Sequence, residues 1–355
     1  MSRALACGIL SVLVVVFIVL PGHLVAAPGL PPAALAAKPL PSSTATDVLR
    51  CVSFSPYVQG YDPDTGPHPS HAQIDELLGI VVNQLGFHCI MTYGVLNGLD
   101  YVFEAAAARD IKVIAIIWLD ADATANAQSI DLGIQKAKEF PETIVRLSCG
   151  SEVQTRLGAS VAVPIIENCI REVRAAGVSQ PITSIDTWWV WCNTSWPCQQ
   201  RSLASDVDWI GVNVFAWWEN KYSALFPCVP ASEAAAFHIA RLQDVIDRYP
   251  GKAVMMTEFG WPAGPDGYSE VNQHTGQQCG VASAANQRQV IEETLEGASG
   301  LDLSVGLFEA FREDWKSRSE GPVGPFWGVC AGTSPFDCSS PYGLRLKKYL
   351  PLIQR

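Results

Sequence analysis

The sequence predicts an α/β chain folded as a (β/α)8 TIM barrel, and three observations carry that expectation. Eight short apolar runs alternate regularly with helical patterns. They extend over about 290 residues, a length typical of such barrels. No glycine-rich phosphate turn follows an early strand, as a doubly wound open sheet, the alternative, would normally require.

The first strand candidate is Val52-Ser-Phe-Ser-Pro-Tyr57. Pro69 and the capping-box pattern Ser70-His-Ala-Gln73 then open a helix whose apolar positions Ile74, Leu77, Leu78, Val81, Val82 and Leu85 recur at helical spacing. The second strand candidate is Phe87 to Tyr93. Further strands are expected at Lys112 to Ile117, Thr143 to Cys149, Pro181 to Ile185, Trp209 to Val214, Ala253 to Thr257 and Leu303 to Phe308. Helical patterns lie between them near Leu99 to Arg109, Ala121 to Phe140, Val161 to Ala176, Ser232 to Tyr249 and Ala284 to Gly297. The fifth connection, Trp188 to Ser205, lacks a clear helix; its tryptophans and close cysteine pair suggest a stapled surface loop.

Ahead of the barrel, Arg3 precedes the apolar run Ala4 to Leu20, then Pro21-Gly22 and small residues with an A-x-A site at Ala34-Leu35-Ala36. Residues 1–36 therefore read as a secretory signal peptide, with an uncleaved anchor as the alternative because the run is short for a span. Residues 37–48 read as a Pro/Ser/Thr-rich linker, and residues 49–350 as one barrel domain. Cys7 leaves with the leader, and the other ten of the 11 cysteines form an even set suited to an oxidising compartment. Cys192 with Cys198 and Cys330 with Cys338 are the closest pairs, and Cys228 with Cys279 could tie two long loops. Cys89 and Cys149 sit in apolar strand runs, where a buried thiol and a disulfide are both open.

Hydrophobic residues make up 48% and charged ones 17%, with a net charge of -11 and no acidic or basic block, which argues against nucleic acid as partner. No CxxC or Cys/His spacing suggests a metal site, and no motif calls for a cofactor. Asp62-Pro-Asp-Thr-Gly66 looks superficially like a calcium loop, but its twelfth position is Gln73 rather than Glu.

In such barrels, polar residues just past the carboxyl ends of strands line the working site. Strand four ends Leu147-Ser-Cys-Gly-Ser-Glu152 and strand seven ends Met256-Thr-Glu258, so each delivers one carboxylate to the same rim. A single such Glu would be read as a helix N-terminal residue favoured by the macrodipole. Two at matching positions, flanked by Phe259 and Trp261, are the equipment for breaking a glycosidic bond.

Glu258-Phe-Gly-Trp-Pro262 resembles the Glu-Thr-Gly-Trp-Pro signature of glycoside hydrolase family 17, the β-1,3-glucanases and their transglycosylating relatives of microbial type. Gly150-Ser-Glu152 resembles its Gly-Asn-Glu. Phe308-Glu-Ala-Phe-Arg-Glu-Asp-Trp-Lys316, Gly321-Pro-Val-Gly-Pro-Phe-Trp-Gly328, Tyr61-Asp-Pro-Asp-Thr-Gly66, Thr92-Tyr-Gly94 and Leu96-Asn-Gly-Leu-Asp100 are similar to further family segments, in the expected order over about residues 50 to 330. The resemblance implies a retaining hydrolase with Glu258 as nucleophile, Glu152 as general acid and then base, and the two carboxyl groups roughly 5 to 5.5 Å apart. Glu313 and Lys316 match a Glu and a Lys of the family's strand-eight motif and read as an ion pair, either shaping the rim or purely structural. Tyr57, Tyr93, Ser151, Trp188, Asn213, Trp217 and Trp261 complete the candidate sugar-binding set. Among the eleven tryptophans, about half are expected simply to pack the loops.

Three departures stand out. Ser151 replaces the family's Asn, Met91 replaces an Arg expected near the nucleophile, and Asn213 opens a strand-six segment where the family has His. Loss of the cation at Met91 should raise the pKa of Glu258, and Arg312 is a candidate to restore it. The expectation is a secreted monomer, extracellular or in the cell wall or periplasm, acting on β-glucan with no protein partner inferable. Transglycosylation, a differently linked glucan or a mannan, and a catalytically impaired glucan-binding protein are the alternatives.

Overall fold

The structure, a computed structural model, describes residues 48–192 and 203–338. The signal peptide, residues 37–47 of the linker and Cys198 lie outside the described residues.

Eight parallel strands close into a barrel in sequence order. They are β1 (Arg50–Ser53), β2 (Cys89–Thr92), β3 (Lys112–Ile117), β4 (Ile144–Ser151), β5 (Ile182–Thr187), β6 (Trp209–Asn213), β7 (Ala253–Phe259) and β8 (Ser304–Leu307). The intervening helices include α1 (His71–Ile80), α2 (Tyr101–Ala107), α3 (Ala123–Glu139), α4 (Val153–Leu157), α5 (Ala159–Ala175), α6 (Trp188–Cys192), α7 (Ala216–Tyr222), α8 (Ala231–Arg248) and α9 (Ala284–Gly300). Every expected strand is present. β1 is shorter than expected, because Pro56 has no N–H to continue the ladder. The fifth connection does begin with a short helix, α6.

The capping box is half formed. Ser70 Oγ accepts the Gln73 N–H at 3.3 Å, whereas the Gln73 amide turns away to donate to the Pro56 carbonyl at 3.1 Å and ties α1 to the end of β1. The helix then widens into a π-turn over Val81–Leu85 and stops at Gly86, where φ is +82°.

The strands are apolar throughout because both faces are covered. Cys51, Met91, Ile114, Ile116, Ile185, Trp209 and Met255 fill the barrel, while alternate residues such as Val52, Ile90, Leu147, Val212 and Met256 pack with helix residues such as Leu242, Val245 and Leu295. A separate aromatic cluster, with Phe215, Trp217, Trp261, Phe308 and Trp327, caps the carboxyl rim.

Among the described residues, four disulfides join Cys51–Cys89, Cys149–Cys169, Cys228–Cys279 and Cys330–Cys338. The last two are expected pairs. Cys89 and Cys149 are bridged rather than free: Cys51 lies on the neighbouring strand β1, and Cys169 on α5, the second helix after β4.

Candidate active site

Glu152 and Glu258 both line one cavity of about 800 Å³ at the carboxyl ends of the strands. The way the chain delivers them departs from a regular ladder. Between Met256 and Phe259, β7 carries one residue more than β8, and between Met256 and Glu258 one more than β6, so the bulge faces both neighbours. Met256 points to the helix layer, and strict alternation would send Glu258 the same way; the extra residue re-aims it at the cavity. β4 also bulges, between Ser148 and Ser151, just before Glu152.

Glu152 itself has φ 55° and ψ 30°, a left-handed conformation uncommon outside glycine. Gly150 makes the turn feasible, since a Cβ there would lie 2.2 Å from Val153 Cγ2. After β7, Gly260 has a similar role: its Cβ would fall 2.4 Å from the Phe308 carbonyl oxygen. The glycine of Glu258-Phe-Gly-Trp-Pro262 thus allows β7 and β8 to approach beside the carboxylate.

Asn213, at the end of β6, bridges the two strands. Its Nδ2 donates to Glu152 Oε1 at 2.9 Å and its Oδ1 accepts from Thr257 Oγ1 at 2.8 Å, which fixes the amide orientation. Tyr93 hydroxyl lies 2.9 Å from Glu258 Oε1 and 2.7 Å from Ser53 Oγ, so it donates to the carboxylate and accepts from the serine. Burial first, and then the charge of Glu152, push the Glu258 pKa up to about 8, against the Tyr93 hydrogen bond and Lys316. Burial also raises Glu152, against Asn213 and Arg156. The two carboxyls therefore behave as a coupled pair, and a proton on Glu152 removes one of the causes that hold Glu258 protonated.

The expected ion pair is present within a larger group. Lys316 Nζ lies 2.8 Å from Glu313 Oε2, also contacts Glu309, and sits 4.3 Å from the Phe308 ring centroid. Burial opposes its charge, but Glu309 and Glu313 outweigh it and raise its pKa. Glu313 further accepts from Ser55 Oγ and from Trp315 Nε1. Beside them Glu320 lines the cavity, its pKa pushed to about 7 mainly by burial.

Several sequence expectations change here. Lys316, not Arg312, is the cation acting on Glu258; Arg312 lies over the Phe326 ring at 5.1 Å and faces Asp314. Met91 packs inside the barrel. The Glu258 pKa is raised as expected, but by burial and Glu152 in the first place. Trp217 and Trp261 are fully buried and packed edge-to-face at 5.1 Å, so neither offers a ring face to a ligand. Tyr57 donates to the Asn97 carbonyl at 3.1 Å, and Ser151 is buried; neither belongs to the cavity lining. Trp188 does line it, with Nε1 donating to Glu219 Oε1 at 2.9 Å. Trp189 and Trp218, two of the strand-end and loop tryptophans suited to sugar faces, also line the cavity, whereas Tyr222, Glu219 and Glu320 line it without having been singled out by the sequence, and the buried Glu309 and Asp186 lie behind it. The strand-six segment through Glu219 was the signal for Trp218 and Glu219; nothing in the β5 sequence marked Asp186.

The family model of the BtgE/BtgC glycoside hydrolase domain matches residues 51–328. A probable beta-glucosidase btgE of Aspergillus terreus is 23% identical over 293 residues, covering 81% of this chain and 48% of its own length. The probable family 17 glucosidase SCW10 of Saccharomyces cerevisiae is 24% identical over 284 residues, 78% of this chain and 64% of its own. The chain thus spans about half the length of the first of these curated relatives. Among solved structures, a glycoside hydrolase family 17 β-1,3-glucanosyltransferase from Rhizomucor miehei aligns with TM-score 0.59 at 18% identity, covering 80% of this chain and 93% of that one. An endo-laminarinase from Formosa aligns with TM-score 0.64 at 17% identity, covering 80% and 83%. With a family model spanning the whole barrel and the motif resemblance to family 17 pointing the same way, the chain belongs to the BtgE/BtgC glycoside hydrolase domain family.

Proposed function

We propose that this protein is a secreted retaining glycoside hydrolase acting on β-1,3-glucan by double displacement. The observation that carries this reading is the pair Glu152 and Glu258 on one cavity, with different partners: Asn213, itself held by Thr257, donates to Glu152, and Tyr93 donates to Glu258. In the first step a Glu258 oxygen bonds to the anomeric carbon while the glycosidic C–O bond breaks, and the leaving oxygen takes the Glu152 proton. In the second, water gives a proton back to Glu152 and attacks the anomeric carbon, and the ester to Glu258 breaks. A sugar hydroxyl in place of that water gives transglycosylation. The two carboxyl groups are expected roughly 5 to 5.5 Å apart, as double displacement requires.

Trp189, Trp218 and Tyr222 give the cavity flat apolar surfaces suited to pyranose rings, Trp188 is buried against Phe226 and Phe237 in its wall, and Glu219 and Lys221 supply polar edges. β-1,3-glucan as the substrate is supported by the structurally similar proteins, an endo-laminarinase and a β-1,3-glucanosyltransferase whose active-site mutant was solved with laminaritriose. Secretion is supported by the four disulfides.

The test is incubation with laminarin oligosaccharides, with products followed by chromatography and anomeric proton NMR. Shorter products of retained β-configuration, lost in Glu258→Gln, are expected for hydrolysis, and longer products for transfer. Inverted products would overturn the mechanism. Binding with unchanged substrate would leave a glucan-binding protein.

A further inference from the structure

Asp186, the fifth residue of β5, is a fully buried carboxylate that the double displacement does not use. Its Oδ2 accepts the Gln154 N–H at 3.0 Å, and its Oδ1 accepts the Thr155 hydroxyl at 2.6 Å and the Thr187 N–H at 2.9 Å. Two of these donors belong to the first turn of α4, directly after Glu152. Asp186 therefore fastens the turn whose left-handed start at Glu152 is intrinsically unfavourable. Three donors on one buried carboxylate favour its ionised form. Burial first and the charge of Glu152 second outweigh these donors and raise its pKa to about 7; the repulsion is mutual, so above that pH a charge on Asp186 opposes one on Glu152.

This argument rests on the reading of Glu152 as the acid. We propose that Asp186 is a positioning residue for Glu152: it holds the Glu152 turn in place, and its negative charge biases the single proton of the carboxyl pair onto Glu152 and away from Glu258. The neighbours on every side allow that bias. Glu152 is faced by the neutral donor Asn213 from β6, by Arg156 from α4, by Glu258 from β7 and by Glu320 from beyond β8; Arg156 is itself engaged by Asp120 at 2.9 Å. Glu258 is faced by two groups that favour its ionisation, Tyr93 and Lys316, and by Glu320, which opposes it. A second carboxylate beside Glu152 thus pushes the shared proton in the direction that an acid-and-nucleophile pair requires.

The experiment uses full-length protein carrying carboxyl-13C glutamate, with the Glu152 resonance assigned by its loss in Glu152→Gln. In Asp186→Asn the Glu152 titration midpoint is expected to fall by about one pH unit. The alkaline limb of kcat/KM on laminarin oligosaccharides should fall with it. A purely structural role would lower kcat at all pH values and leave both midpoints where they were, and that result overturns the proposal. Should Asp186→Asn fail to fold by circular dichroism, Thr155→Val removes one donor and is expected to move the midpoint the same way by less; an unmoved midpoint there overturns it too. A wild-type protein that neither cleaves nor elongates the oligosaccharides would end the hydrolase reading, while the NMR midpoint would still decide the influence of Asp186.

Discussion

Tyr93→Phe tests the electrostatics of the pair most directly. Phenylalanine keeps the ring, which packs edge-on against Phe308 at 6.3 Å, and removes only the hydroxyl 2.9 Å from Glu258 Oε1. A hydrogen bond to a charged group contributes about 1.5–3 kcal/mol. At about 1.4 kcal/mol per pKa unit, its loss should raise the Glu258 pKa by about one to two units, because the donor stabilises the ionised form only. With Glu258 as nucleophile, the acid limb of kcat/KM reports its ionisation. That limb should move up by the same amount, so activity at a pH below it falls about 10- to 100-fold and recovers at higher pH. The assay is a pH profile of kcat/KM on laminarin oligosaccharides. The variant also leaves the Ser53 hydroxyl without its acceptor, so a stability loss of about 1–3 kcal/mol is expected and is read by thermal melting. A folded variant whose acid limb is unmoved would refute the assignment of that limb to Glu258.

Three further outcomes follow from the same groups. Burial and Glu152 push the Glu258 pKa up to about 8, above its ordinary value of 4.5, so its contribution to stability is fully present below pH 4.5 and is lost as pH rises toward 8. Glu258→Gln should therefore be inactive yet melt at higher temperature than wild type, with a difference that widens between those limits and is flat above; a difference independent of pH would contradict the raised pKa. Lys316→Met leaves Glu309 and Glu313 buried without their cation and is expected to cost about 3–5 kcal/mol in chemical denaturation, far more than an exposed lysine would. His238 is fully buried between Ala216 N–H and Thr294, with its pKa lowered by burial from 6.5 to about 3. Its contribution is present above pH 6.5 and is lost at up to about 1.4 kcal/mol per pH unit as pH falls toward 3. His238→Gln should flatten that acid-side loss in a melting series.

The barrel was legible because eight strands buried on both faces must read as apolar runs, and the carboxylates because strand ends are where such a fold exposes polar groups. What the residues could not reveal was the side of the strand on which a carboxylate lands. Glu258 has the same parity as Met256, which packs outward, and only a bulge opposite both β6 and β8 turns it inward. A bulge leaves little trace in one sequence. The tryptophans mislead for a related reason. Trp261 sits next to the motif in sequence, but its indole bonds the Val281 carbonyl at 2.9 Å and packs on Trp217, whereas Trp218, one residue on, turns to the cavity. Adjacent positions on a short rim helix face different ways, and composition does not distinguish them. Cys51 and Cys89 are 38 residues apart, yet they become neighbours once β1 and β2 pair, so their bridge depends on topology rather than spacing.

The departures from the family pattern make more sense as a redistribution of charge than as simple losses. The position where an arginine is expected is Met91, sealed among apolar side chains where a guanidinium would need partners of its own. The cation that acts on Glu258 comes instead from Lys316, beyond β8, and it is held there by Glu309 and Glu313. An anion-flanked lysine attracts Glu258 less than a free one would, which is consistent with a Glu258 that remains hard to ionise while Glu152 is charged. In that setting the location of a single proton decides the competence of the site. Asn213 and Arg156 pull it away from Glu152, Tyr93 and Lys316 drive it off Glu258, and Asp186 favours Glu152. Removing a donor on the Glu258 side and removing the charge at Asp186 should therefore narrow the active pH range from opposite ends, the first from the acid limb and the second from the alkaline limb. If both substitutions moved the same limb, the roles of the two carboxylates would be exchanged.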